Sequence, residues 1–277
     1  MATSKHYLRI EAGRTDAQYW QDIWRYRELF YFLAWRDILV RYKQTFIGIA
    51  CALIRPFLTM VVFTIVFGRI AKLPSDGNAP YPILVFAAML PWQFFASALS
   101  ECSNSLIINA NLISKVYFPR LVVPTSAVIV SYVDFLIFGL SLLSLMAWFN
   151  FLPSWRILTL PIFTLIAFAA AMGAGLWLAA LNVKYRDFRY IVPFAVQFGL
   201  YISPVGFSSN VVPEKWRLLY SLNPMVGVID GVRWVILGDG TEFYWLGFGV
   251  STALVCSLLL SGINYFRSIE RVFADVI

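Results

Sequence analysis

The sequence predicts an all-α integral membrane protein with six transmembrane helices, and three observations carry that prediction. Of 277 residues, 60% are hydrophobic and only 13% charged, against roughly 25% charged in soluble domains. The apolar residues gather into runs long enough to span hydrocarbon. The basic residues gather between alternate runs.

A crossing helix needs ~20 mostly apolar residues to traverse ~30 Å at ~1.5 Å per residue. Such runs occupy 48–71, 83–105, 122–148, 158–181 and 244–266. A sixth, 191–208, is shorter and carries Pro193 near its start and Pro204 near its end, where proline disturbs a helix least. Residues 224–238 are apolar but include Asp230 and Arg233, and as a helix they would reach only ~22 Å. This segment reads as re-entrant or interfacial. Asn223 before Pro224 offers a cap with proline at the first helical position, and Pro213 opens a second short helix through EKWRLLYSL. Two short helices over about 213–238 are therefore expected to dip into one face between spans five and six.

Lysine and arginine set the orientation, because short basic loops stay cytoplasmic. With both termini inside, sixteen basic residues fall on the cytoplasmic side and six outside, the latter being Arg69, Lys72, Arg156, Lys215, Arg217 and Arg233. A crossing at 224–238 would send Arg267 and Arg271 outward and weaken the asymmetry. The net charge of +7 is thus mostly topology, not a nucleic-acid surface. Residues 1–47 then form a cytoplasmic tail and interface helix, 48–266 the six-span domain, and 267–277 a cytoplasmic tail. Residues 1–21 mix Lys5, Arg9, Glu11, Arg14 and Asp16 and present no apolar core before a small-residue cleavage site, which argues against a cleaved signal peptide.

Within the first segment, Tyr31, Ala34, Trp35, Ile38 and Tyr42 repeat at helical spacing while Arg25, Arg36 and Lys43 project elsewhere. That pattern is an amphipathic helix at the membrane surface, serving either as an anchor or as a docking element. Two loops, NANLISKVYFPR at 109–120 and NVKYRDFRY at 182–190, are short, basic and aromatic. They suit ordinary positive-inside loops and equally suit rigid connectors that transmit a push.

Chemistry is sparse. The chain has no phosphate-binding G-x-x-x-x-G-K-[ST] loop, no G-x-G-x-x-G, no H-E-x-x-H and no nucleophile elbow. Cys51, Cys102 and Cys256 lie in or beside apolar runs, away from one another and from His6, so they read as packing residues. Neither catalysis nor a cofactor or metal is expected of this chain. Glu101 and Asp134 are the acidic residues deepest in the spans, and intramembrane charge is costly enough to suggest function. For Asp134 a proton relay and a structural hydrogen bond to a neighbouring helix are both open, and Glu101 lies near a span end where it can snorkel. The 24 Phe, 14 Tyr and 10 Trp exceed what two interfacial belts need. They face lipid or line a path on which sugar rings stack through their C–H faces.

Four phrases together resemble the permease subunit of bacterial ABC exporters of lipid-linked polysaccharide, as used for O-antigen, capsule and teichoic acid. They are RYKQTFIGIACALIRPFLTMVVFTIVFGRIAKLPSDG at 41–77, YPILVFAAMLPWQFFASALSECSNSLIINANLISKVYFPRLVVP at 81–124, LNVKYRDFRYIVPF at 181–194 and LYSLNPMVGVIDGVRWVILG at 219–238. The resemblance covers nearly the whole chain.

It implies a six-span permease of the bacterial inner membrane that dimerises and pairs with two copies of a separate ATP-binding subunit. ATP and Mg would then belong to that partner, and the substrate is a polysaccharide on an undecaprenyl carrier. By resemblance, the ATPase-coupling interface lies on the helix at 23–43, with Arg36, Asp37 and Arg41, and on the loop at 109–119, with Asn111, Lys115, Tyr117 and Phe118. The outer gate falls at about 213–238, with Pro204, Asn223, Pro224 and Arg233. Path aromatics are Phe63 and Phe67 in the first span, Trp92 and Phe95 in the second, and Tyr201 in the fifth. Related sequences commonly carry tryptophan and glutamine where this chain has Cys51 and Arg55. Arg55 then either contacts an anionic carrier at the entrance or snorkels beside head groups. Competing readings are an ABC permease for a drug or small lipid, and a proton-coupled secondary transporter using Asp134 and Glu101. A membrane-embedded glycosyl- or acyltransferase would need a base or metal site, and the sequence displays none.

Overall fold

Apolar runs interrupted by Pro, Gly and short basic loops should fold as helices wherever the backbone leaves water, since only intrahelical bonds satisfy it there. The computed structural model of the chain describes residues 16–42, 46–75, 79–185, 187–238 and 243–270, with the side chains of 16–18, 20, 46–53 and 55 outside the description. Among the described residues the regular structure is helical throughout. In chain order the helices are α1 Asp16–Arg25, α2 Arg27–Tyr42, α3 Phe46–Phe63, α4 Tyr81–Ile108, α5 Ala110–Lys115 and α6 Val122–Trp148. They continue with α7 Leu160–Lys184, α8 Phe188–Ile202, α9 Glu214–Tyr220, α10 Pro224–Leu237 and α11 Trp245–Ile269. A π-helical stretch, Thr64–Ile70, extends α3, and a 3₁₀ turn, Trp155–Thr159, leads into α7.

Four helices are long and apolar enough to cross a bilayer: α4, α6, α7 with its leading turn, and α11. They match the predicted second, third, fourth and sixth spans closely. The first predicted span corresponds to α3 and its extension, of which Pro56–Ile70 forms a shorter apolar helix. The fifth requires correction. A helix over 191–208 was the expectation, whereas α8 runs Phe188–Ile202 and stops there. Ser203 is extended, with φ −78° and ψ 153°, as a residue before proline prefers. Pro204 therefore lies beyond the helix in a buried turn.

The central element is α4, wedged between α6 and α7, with α11 on the far side of α7. Small residues let α7 and α11 approach. A Cβ on Gly262 would come within 2.5 Å of the Gly173 carbonyl oxygen, so these glycines set the interaxial distance, as small residues do between membrane helices. Beside this contact Trp177 stacks on Tyr265 at 3.9 Å and its indole N–H donates to Ser261 Oγ at 3.2 Å.

The bundle has two distinct ends. At one, α10 nestles against α4, α7 and α11. Its first turn lies beside Ser251, six residues into α11, and its last residue is followed by Gly238 beside Ser154 and Arg156 before α7. α10 thus runs from beside α11 to the turn that leads into α7. Gly238 adopts φ +73°, which favours glycine, and its carbonyl accepts from Arg156 Nη1 at 3.0 Å. At the opposite end lie α1, α5 and the close of α11.

Gly262→Val forces α7 and α11 apart, and overpacking of this kind costs about 1–3 kcal/mol. The thermal midpoint of the purified protein in detergent should fall accordingly. An unchanged midpoint would contradict the packing described.

Candidate functional site

At the α10 end, a guanidinium is enclosed by apolar helices. Arg233 is 2% exposed, and burial of a cation this deep demands strong partners. Its Nη1 donates to the Phe207 carbonyl at 2.7 Å, Nη2 to Val205 at 3.0 Å and Nε to Leu84 at 3.4 Å. The turn at 203–208 is held from three further sides. Tyr81 donates its hydroxyl to the Gly206 carbonyl at 2.7 Å, Tyr220 to Ile202 at 2.8 Å, and Asn223 Nδ2 to Ser203 Oγ at 2.9 Å. Asn223 also caps α10, its Oδ1 accepting from the Met225 N–H at 3.0 Å, with Pro224 next. The four gate residues named from sequence, Pro204, Asn223, Pro224 and Arg233, therefore meet in one assembly. Their role differs from a surface flap, because α10 is mostly buried and only the short α9 is largely exposed.

Of the five path aromatics, Phe63, Phe67 and Tyr201 gather beside this turn, while Trp92 and Phe95 pair with each other, Trp92 lying against Gly199 of α8. Phe63 packs edge-on against Phe67 with centroids 5.5 Å apart and meets Tyr201 at 6.1 Å, while Phe67 meets Phe207 at 6.4 Å and Trp92 meets Phe95 at 5.6 Å. Phe63, Trp92 and Phe95 are buried within the chain, so in this state they are packing residues. Tyr201 is 59% exposed. It continues an open stripe on α8 with Phe194 and Phe198, which stack with centroids 6.0 Å apart. The sequence reading overlooked Phe194 and Phe198. Their spacing to Tyr201, four and then three residues, was the available signal for a single helical face.

At the opposite end, α2 keeps Tyr31 and Trp35 of the predicted apolar face on the protein surface, where a membrane interface would meet them. Tyr31, 67% exposed, stacks on Trp35 at the surface, while Leu33 and Ala34 are buried. Arg41 and Arg36 point into the bundle, where their partners are. Arg41 Nη2 pairs with Asp134 Oδ2 of α6 at 3.1 Å and Nη1 lies 3.6 Å from Glu101 Oε1 of α4. The Tyr42 hydroxyl donates to Asp134 Oδ1, and Ser97 Oγ approaches Oδ2 at 3.5 Å. Arg36 donates to Asn109 Oδ1 at 2.8 Å and pairs with Asp37 at 2.7 Å. Arg36 and Arg41, expected to face a partner, tie α2 to α4 and α6, while Asp37 pairs with Arg36 within α2. Asp134 likewise gains a structural role in place of the free acid a proton relay needs.

The connector after α4 divides cleanly. Asn111, Lys115 and Tyr117 are exposed, whereas Phe118 is 4% exposed and Ile113 is also buried. Phe118 is thus an anchor beneath the surface that Tyr117 presents. A clasp fixes the connector's end: the Arg120 N–H donates to Glu270 Oε1 at 2.8 Å, its Nη1 to the Glu270 carbonyl, and the Tyr19 hydroxyl to Glu270 Oε2 at 2.9 Å. The Arg267 guanidinium covers the Tyr19 ring at 4.7 Å. Burial, then the Glu270 charge and hydrogen bond, push the Tyr19 hydroxyl well above its ordinary 10.0. The side chain of Arg55, the candidate carrier contact, lies outside the described residues. Among the described residues, no three of His, Cys, Asp and Glu converge as a metal site would require.

Comparison with known proteins supplies a context for this geometry. Residues 28–237 match the ABC-2 type transporter family. The chain is 28% identical over 264 residues to the O-antigen export system permease protein RfbA of Myxococcus xanthus, covering 93% of this chain and 98% of that one. It is 24% identical over 246 residues to an O-antigen export system permease protein RfbA of Klebsiella pneumoniae, covering 87% and 92%. It is 23% identical over 246 residues to the inner membrane transport permease YadH of Escherichia coli strain K12, covering 83% and 93%.

Two outcomes test the site. Arg233→Met leaves the carbonyls of Leu84, Val205 and Phe207 without this donor, each at about 1–3 kcal/mol, so amide hydrogen exchange over 203–208 should accelerate; unaltered protection would refute the clamp. Because the Tyr19 pKa is raised on folding, its contribution is complete below the unfolded value and falls as pH rises past about 10. Alkaline titration should loosen α1 in the native protein and less so in Tyr19→Phe, read by tryptophan fluorescence. Identical profiles would exclude the clasp as the cause.

Proposed function

From the premise that the chain belongs to the ABC-2 type transporter family, we propose that it is the membrane-spanning subunit of an ATP-driven exporter. Its cargo is O-antigen or a related lipid-linked cell-surface polysaccharide, moved across the bacterial inner membrane. The observation that carries this reading is the end-to-end similarity to O-antigen export permeases from two organisms. The separation of charge fits it: Lys115, Arg120, Lys184, Arg189 and Arg267 gather at the α5 end, which the reading makes cytoplasmic.

In this account α3, α4, α6, α7, α8 and α11 are the six spans, both termini are cytoplasmic, and α9 and α10 form the outer layer. Two copies pair, and each docks one ATP-binding subunit that supplies ATP and Mg. The exposed stripe Phe194, Phe198 and Tyr201 on α8 becomes wall of the path, where aromatic faces support sliding sugar rings. Asn111, Lys115 and Tyr117 become the coupling surface. The carrier is undecaprenyl. The turn at 203–208, fastened by Arg233, becomes the outer closure that must yield during transport. The ion-paired state of Asp134 weighs against proton coupling through it.

Deletion of the gene should leave lipid-linked polymer in the cytoplasmic leaflet and remove it from the cell surface, scored by surface immunolabelling against total polymer. Normal surface polymer after clean deletion would sink the proposal. Tyr117→Ala should lower transport-linked ATP hydrolysis severalfold, by about 1 kcal/mol of lost docking, with the permease still folded. Full coupling in that variant would remove the connector from the interface.

A further inference from the structure

Where α4 ends and α8 begins, a cavity of about 320 Å³ opens at the α5 end. It is lined by Ser100, Glu101, Asn104, Ile107, Ile108 and Arg189. This cavity belongs to neither the Arg233 assembly nor the aromatic stripe.

The lining combines three kinds of surface. Arg189 has no hydrogen-bond or ion-pair partner among the described residues, so its guanidinium is available to an anion. Glu101 is only loosely engaged: Arg41 lies 3.6 Å away through Nη1, with its Nη2 closer to Asp134 at 3.1 Å. Its carboxylate therefore keeps acceptor positions for incoming hydroxyls. Ile107 and Ile108 are exposed and supply an apolar wall. Asn104 is already committed, donating to the Ser100 carbonyl at 2.9 Å and accepting from Asn182 at 3.2 Å. Its part is to hold the pocket's shape.

An anion, a rim of hydroxyls and a C–H face are together the description of a phosphorylated sugar. The place is suitable too. The cavity sits at the last turn of one apolar helix and the first turn of another, the depth at which lipid head groups meet water. A ligand with its head in the pocket keeps its tail in hydrocarbon.

We propose that this α4–α8 pocket binds the phosphorylated saccharide head of a lipid-linked substrate, with Arg189 on the phosphate and Glu101 accepting from sugar hydroxyls. The assignment rests on the export reading above and gives it a loading site. Guanidinium matches phosphate geometry with paired charge-assisted bonds. Glu101 also connects the pocket to α2, because a hydroxyl that engages it competes with Arg41, leaving Arg41 to Asp134. Occupancy is thereby felt at the helix that precedes the first span.

The test uses the full chain in nanodiscs with a radiolabelled polyprenyl-diphosphate disaccharide, its phosphate-free polyprenyl glycoside, and phosphatidylglycerol as competitor. Wild type should bind the diphosphate saturably. Arg189→Gln and Ser100→Leu should each weaken it about tenfold, the scale of one lost charge-assisted contact, and Lys215→Gln at the other end should not. The glycoside should bind weakly, and phosphatidylglycerol should not displace the ligand. Arg189 is exposed, so its variant carries the test even if Ser100→Leu fails to fold. Binding by wild type with both variants within about twofold overturns the pocket and leaves the export reading standing. Equal displacement by phosphatidylglycerol makes it a head-group site and overturns the saccharide assignment. No binding by wild type overturns both.

Discussion

A guanidinium removed from water inside an apolar bundle must be given acceptors or it will not stay there. Arg233 is almost fully enclosed, and its acceptors include three backbone carbonyls, from Leu84 on α4 and from Val205 and Phe207 on the turn after α8. Much of the architecture at that end follows. The chain must fold back at 203–208 to deliver two of those carbonyls, so α8 has to stop at Ile202, and Ser203–Pro204 provides the stop. α10 keeps Arg233 beside them, and Asn223 and Gly238 terminate it at both ends. Tyr81, Tyr220 and Asn223 then satisfy what remains of the turn.

The other end solves the same problem with side chains. Asp134 lies deep in α6 and Glu101 within α4, and one arginine from α2 serves both. Partly exposed pairs of this sort are poor sources of net stability, because solvent screens the attraction. They are effective at fixing register, and here they fix α2 against two spans. Arg120, Tyr19 and Glu270 do the same for the connector after α5. The elements that a cytoplasmic partner would meet are thus each tied by charge to a different part of the bundle.

The long spans were legible because length and apolarity alone determine them, and 122–148 agrees with α6 at both ends. The Asn223–Pro224 cap was legible too, since it rests on local chemistry. What the sequence could not convey was how α2 is held against the spans. Hydrophobic periodicity marked Tyr31 and Trp35, which stay on the surface, but carried no sign that Arg41 pairs with Asp134 and Glu101 of two other helices. Phe118 was similarly ambiguous: an aromatic beside Tyr117 in a basic loop carries no mark of burial. The fifth span was overextended because Pro204 looked like a terminal residue of a helix, when the preceding serine already leaves it.

The two ends describe a bundle whose one end is fastened by Arg233 and whose other is tied by ion pairs, and under the proposed export reading these become the outer closure and the cytoplasmic face. The most direct measurement is reconstitution of this chain with its ATP-binding partner in proteoliposomes loaded with lipid-linked polysaccharide. The account predicts polymer reaching the opposite leaflet only when ATP and Mg are supplied to the partner's side. Transfer without ATP hydrolysis, or hydrolysis without transfer of any lipid-linked saccharide, would contradict it.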